Sequence, residues 1–159
     1  MRRESHQSFE NYPLTTRARA TLLGAEDLAD NGTPFCIAVL RIVLHTPTSA
    51  AYHILDDLLI SMADFKAEVS AAGKASSARP FPAAIGLASV DGCTQLLLES
   101  AARETARIGT NYIGTEHLLC GLVSEAGPRC ATLFSEFAIT REGVRIGMCR
   151  LLGIEGKLV

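Results

Sequence analysis

Apolar residues recur along this chain at spacings of three and four, and polar breaks between them cut it into short helical stretches. Residues 14–29 place Leu14, Ala18, Leu22, Ala25 and Ala29 on one face, the period of an amphipathic helix, with Thr15 or Thr16 able to cap its start. Asn31-Gly32-Thr33-Pro34 interrupts the pattern, since glycine and proline both end regular structure. Residues 35–44 are almost wholly apolar and, taken alone, could be a buried strand. Their length and the lack of a matching strand elsewhere predict a buried helix instead. After the break His45-Thr46-Pro47-Thr48-Ser49, residues 50–59 carry Ile54, Leu55, Leu58 and Leu59 on a third helix. Ser61 caps a fourth and short one, marked by Met62, Phe65 and Val69.

From residue 72 to 89 the chain turns to Gly, Ser, Ala and Pro around Arg79-Pro80-Phe81-Pro82, the composition of a linker. The helical rhythm then restarts. Residues 91–108 align Leu97, Ala101, Thr105 and Ile108, with Glu99 and Arg103 as an i,i+4 pair in the favourable order. Leu118, Leu119, Leu122 and Val123 belong to the next helix, Gly127-Pro128 breaks it, and Ala131, Leu133, Phe134 and Phe137 mark a third. Thr140 caps a fourth whose apolar face is Val144, Met148, Leu151 and Leu152, and Gly153 ends it. Leu22–Ala29 lies over Leu98–Thr105 and Leu55 over Leu133, an offset of about 76–78 residues that implies repetition of one unit. The expected fold is all-α: two tandem four-helix repeats, the first over residues 14–71 and the second over 90–153, joined by a linker at 72–89 and preceded by a loose segment at 1–13.

Composition agrees with packed helices. Of 159 residues 48% are hydrophobic, yet only 6% are aromatic and none is Trp, so the interior must be built from Leu, Ile, Val and Ala. A formal net charge of -2 argues against a general nucleic-acid binder. No apolar run approaches the ~18–20 residues needed to cross a bilayer, and the first fifteen residues lack the apolar segment of a secretion signal. A cytoplasmic protein without membrane association is expected. The five cysteines, Cys36, Cys93, Cys120, Cys130 and Cys149, form no C-x-x-C pair and read as small core or boundary residues in a reducing compartment.

The most informative stretch is Gly109-Thr110-Asn111-Tyr112-Ile113-Gly114-Thr115-Glu116-His117. Gly109 can adopt the left-handed conformation that closes a helix. Tyr112 and Ile113 plug a gap between helices, Thr115 serves as N-cap of the next helix, and Glu116 in its first turn gains roughly 0.3–1 kcal/mol from the helix dipole. Glu116 beside His117 would suit acid–base chemistry in a small helical enzyme. The chain offers no second histidine at helical spacing, no H-E-x-x-H and no phosphate-binding loop, and no nucleophile with a base and an orienting partner. No catalytic residue, metal site or cofactor is expected.

This connector resembles the helix-loop-helix signature of the Clp amino-terminal domain, the docking module at the front of ClpA- and ClpC-type unfoldases. The likeness is strongest over residues 104–152, in Gly114-Thr115-Glu116-His117, Leu133-Phe134 and the last helix. In the first repeat Leu14-Thr15-Thr16-Arg17-Ala18 is similar to the family's opening, while Pro34-Phe35-Cys36-Ile37 stands where a second G-T-E-H would. The resemblance implies a non-catalytic protein-binding module of two four-helix repeats. Its partners would be Clp ATPase or protease subunits, adaptors and client polypeptides, and a structural accessory that braces or regulates the Clp complex is the alternative role. The binding residues it implies are Thr15, Arg17, Thr115, Glu116 and His117, with Glu125 and Arg129 at the rim. In ClpC-type members a threonine and an arginine meet the glutamate of G-T-E-H to bind phosphorylated arginine. Here Thr15 and Arg17 lie in one repeat and Glu116 in the other, and the matching positions of the second repeat are Asp91 and Cys93. An aspartate repels phosphate, so phosphoarginine recognition is not expected.

Overall fold

A computed structural model describes residues 12–30, 32–77, 90–125 and 128–153, with the side chains of 30, 74–77, 90–94, 125 and 128–129 outside that description. Residues 1–11 of the segment 1–13 expected to be loose, the Arg79-Pro80-Phe81-Pro82 tract and the side chains of Asp91, Cys93, Glu125 and Arg129 lie outside the described residues. Within them the chain is all-helical: α1 Thr16–Asp30, α2 Phe35–Leu44, α3 Ala50–Leu58, α4 Met62–Ser77, α5 Val90–Ile108, α6 Thr115–Glu125, α7 Pro128–Glu136 and α8 Arg141–Leu152.

The helix ends follow local chemistry. Thr15 caps α1, its hydroxyl accepting from Ala18 N at 3.1 Å. Ser49, Ser61 and Thr140 do the same for α3, α4 and α8. Pro128 opens α7 at the position where a missing N–H costs nothing. Gly109 (φ 88°) and Gly153 (φ 70°) close α5 and α8 in the left-handed region, and after Gly109 the Thr110 N–H returns to Thr105 O at 3.0 Å, which satisfies a carbonyl the helix leaves orphaned.

The nearly continuous apolar run is indeed a helix. In α2, Phe35, Ile37, Ala38, Val39, Leu40, Val43 and Leu44 are all buried, as befits a helix enclosed on most sides. α6 is the other central helix, with every residue from Thr115 to Leu122 buried. α1 pairs with α2, and α5 with α6. Between the two groups the packing crosses over: α3 lies on α8, and α4 on α7, where Phe65 and Phe137 meet edge to face at 5.0 Å. One apolar core results.

Three expectations need correction. α4 continues to Ser77 and does not end near 71, because Ala71, Ala72 and Ala75 have the highest helix propensity and carry the helix past Gly73. Leu151 is 46% exposed, since Met148, Cys149 and Leu152 take the inward positions in that turn. Ala131 is also exposed, while Cys130 and Phe134 face inward. Cys120, Cys130 and Cys149 are buried and Cys36 is half-buried, each outside any disulfide.

α5 and α6 approach closely at Gly121. A Cβ there would lie 2.8 Å from Leu97 Cδ1 and 3.0 Å from the Leu97 carbonyl oxygen. The side chain could turn away, but the carbonyl belongs to a helix and cannot. Gly121→Ala is therefore expected to destabilise the protein by about 1–3 kcal/mol through overpacking, despite alanine's better helix propensity, as a lowered urea midpoint would report.

Candidate functional site

The connector between α5 and α6 is tied into the fold by backbone and side chain together. Ile113 is 1% exposed and pairs with the chain's opening: its N–H donates to Pro13 O at 2.8 Å, and Thr15 N donates back to Ile113 O at 3.0 Å. Leu14 and Ile113 so form an isolated parallel bridge. The opening of the first half thus meets the G-T-E-H element of the second, although about a hundred residues separate them in sequence.

The cap of α6 differs from the expectation. Thr115 is the first residue of the helix, and Gly114 stands at the N-cap, its carbonyl accepting from Leu118 N at 3.2 Å. His117, at the third helical position, turns its ring back so that Nδ1 accepts from Gly114 N at 3.0 Å. This is the reciprocal half of a capping box, with imidazole where Glu or Gln usually stands. Because Nδ1 accepts, the ring proton sits on Nε2, which lies 3.2 Å from the Thr110 hydroxyl. Tyr112 packs edge-on to the same ring at 5.6 Å between centroids. His117 is fully buried, and burial drives its pKa down to about 4, against a smaller opposing pull from Glu104. It is a neutral imidazole with both nitrogens engaged.

Thr115 caps another helix. Its hydroxyl accepts from Ala51 N at 3.2 Å, in the first turn of α3, which makes it a polar link between the halves. Thr115→Val keeps the shape and leaves that buried amide unpaired. A loss of about 1–2 kcal/mol is expected, measurable by calorimetry, with Thr115→Ser close to wild type.

Glu116 is 4% exposed. Its carboxylate folds back over Gly114: a Cβ built there would come within 2.6 Å of Oε1 and 2.7 Å of Cδ, so glycine leaves the room the carboxylate uses. Burial raises its pKa, and a hydrogen bond from its own backbone N–H acts against that shift. His117 Nδ1 is 3.5 Å from Oε1, but the neutral ring makes this no ion pair. The expected set therefore divides by position. Thr115, Glu116 and His117 are inside. Thr15 is half-buried beside them, and Arg17 is exposed, its guanidinium donating to Thr48 O.

A second constellation went unnoticed in the sequence. Arg145 on α8 forks onto Glu104 on α5, with Nε 3.0 Å from Oε2 and the second guanidinium nitrogen on Oε1. Glu104 is 5% exposed. Burial alone would raise its pKa, but the hydrogen bond and charge of Arg145, the Cys120 thiol and Arg107 together hold it below the ordinary value. Cys120 is pushed up to about 12 by burial and by the Glu104 charge. The pair forms one wall of a polar cleft of about 260 Å³ lined by Ser100, Arg103, Glu104, Arg107, Ser124, Arg141 and Arg145. The available signal was the stripe Ser100, Arg103, Glu104, Arg107 on one helix face, which gives no hint of its partner helix.

Among the described residues no group of three His, Cys, Asp or Glu could hold a metal ion, and no helix is long and apolar enough to cross a membrane.

No family model matches the chain. Over 57 residues, 36% of its length, it is 42% identical to an ATP-dependent Clp protease ATP-binding subunit ClpA homolog of Guillardia theta and 39% identical to that of Porphyra purpurea. It is 31% identical over 124 residues, 76% of its length, to an uncharacterized protein of Mycobacterium tuberculosis. The chain spans 7% of the length of the ClpA homologs and 46% of the mycobacterial protein. The chain is all-helical among its described residues and, over about a third of its length, similar to ATP-binding subunits of Clp proteases.

Proposed function

We propose that this chain is a non-catalytic protein-binding module that docks substrates or adaptors for a Clp chaperone–protease. The observation that carries the proposal is the similarity to ClpA homologs, which accords with the Gly114-Thr115-Glu116-His117 connector. The geometry supports it against acid–base catalysis. His117 has both ring nitrogens engaged and no exposed surface, whereas a general base must reach the proton it takes. In this reading Thr115, Glu116 and His117 fix the connector from inside. Thr15 and Arg17 form the accessible edge of the docking surface, with Glu125 and Arg129 at its rim.

Surface-immobilised chain titrated with the Clp ATPase and protease subunits of its own cell tests the reading. Saturable binding to a Clp component is expected, little changed in Glu116→Gln and weakened in Arg17→Glu. Absence of binding to every Clp subunit, or turnover of a small molecule that Glu116→Gln abolishes, would overturn it.

A further inference from the structure

The arginine cleft is not used by the docking surface just described, and it gathers like charges on two helices. Four guanidinium groups line it against a single carboxylate, in a molecule whose formal net charge is -2. That carboxylate, Glu104, is already taken by the fork from Arg145. The four arginines come from two helices as like-charged i,i+4 pairs, Arg103 with Arg107 on α5 and Arg141 with Arg145 on α8, an arrangement unfavourable within each helix. Arg107 in the last turn of α5 is favoured by the helix dipole. Arg141 is the first residue of α8, at the positive end, where a cation is disfavoured. Arg107 and Arg141 are both exposed, and Arg107 acts on Glu104 through its charge alone. Beyond the Arg145–Glu104 fork, positive charge is gathered around a concave polar space in excess of the one carboxylate that lines it.

We propose that this cleft binds carboxylate side chains of an acidic segment of a partner polypeptide. Guanidinium groups suit the ligand because each planar fork can hold a carboxylate through two parallel hydrogen bonds. The volume of about 260 Å³ exceeds what one small oxyanion fills and accommodates the side chains of two acidic residues. Arg107 and Arg141 are the principal contacts, one from each helix. Arg145 is held in place by Glu104. That the ligand is anionic rests on the cleft alone; that it is carried on a polypeptide rests on the docking reading above.

The test is a titration of the isotopically labelled full chain with acetyl-hexaglutamate amide, followed by amide chemical shifts, with hexaserine, inorganic phosphate and a phosphoserine peptide as parallel arms. Saturable shifts are expected at residues 100–107, 124 and 141–145 with hexaglutamate, weakening steeply with salt. Arg107→Gln/Arg141→Gln should weaken the binding at least tenfold at an unchanged or higher melting temperature, and Arg107→Lys/Arg141→Lys should retain part of it. No shifts in the cleft, equal affinity in the Gln double variant, or tighter binding of phosphate or phosphoserine than of hexaglutamate would each overturn the proposal. Hexaglutamate binding without any Clp association would sink only the docking reading. Clp association undiminished in the Gln double variant, with no hexaglutamate binding, would sink only this one.

Discussion

Arg145→Ala is expected to cost roughly 3–5 kcal/mol, one of the largest losses available to a single substitution in this protein. The reason is what remains behind. Glu104 is 5% exposed, and without the guanidinium its carboxylate must either stay charged with the Cys120 thiol and the charge of Arg107 as its remaining support or take up a proton. Burial would then raise the pKa that Arg145 now helps hold down. The two helices would also lose their polar fastening, since α5 and α8 are joined there across 41 positions of sequence. The sign of the pH dependence follows. A carboxylate whose folded pKa lies below its ordinary value of 4.5 contributes stability that is complete above that value and lost as pH falls through the lowered one. Urea denaturation at pH 7 should show the full penalty, and at pH 3 a smaller one. Glu104→Met/Arg145→Met, which removes both charges, should recover more than half of the loss, because the pair must repay the desolvation of both ions. A penalty below about 1 kcal/mol for Arg145→Ala at pH 7 would mean that solvent screens the pair.

What the sequence conveyed and what it withheld divide along a physical line. Periodicity located the helices of the described residues because each must bury a stripe, and the local caps Thr15, Ser61, Thr140 and Gly153 were legible because capping is a contact within one turn. The helical state of residues 35–44 was readable from length, since a strand needs a partner that the chain does not offer. Contacts between distant residues left no such trace. Nothing near Thr115 announces that its hydroxyl serves Ala51, and nothing near Glu104 points to Arg145. The capping error at Thr115 is of an intermediate kind: Gly114 and His117 stand three apart, the spacing of a capping box, but imidazole is not the residue that pattern leads one to seek. Burial was the least readable property of the site. Gly114-Thr115-Glu116-His117 is polar enough to suggest a surface, yet it begins a helix enclosed by its neighbours, so its polar groups are satisfied inside.

His117 is where that enclosure has its largest consequence. His117→Leu fills a similar volume but leaves the Gly114 N–H without its acceptor in a buried position, and a cost of about 2–4 kcal/mol is expected from the unpaired amide together with imperfect packing. His117→Gln can return a side-chain oxygen to the same N–H, as a capping-box residue does, and should cost less. The two also differ in how they respond to acid. In the folded protein His117 titrates near 4, against an ordinary value of 6.5, so between those values the unfolded chain holds a proton the folded chain refuses. Stability is full above about pH 6.5 and declines as pH falls toward 4, by up to roughly 3 kcal/mol. Glu116, whose folded pKa is raised, works in the opposite sense as it takes up a proton and partly offsets the decline. Comparing urea midpoints of wild type and His117→Gln from pH 7 to pH 4 isolates the histidine, because Glu116 is common to both. The difference between them should shrink or reverse on acidification. Parallel curves would mean that the imidazole is protonated in the folded state, and the assignment of Nδ1 as acceptor for Gly114 would then fail.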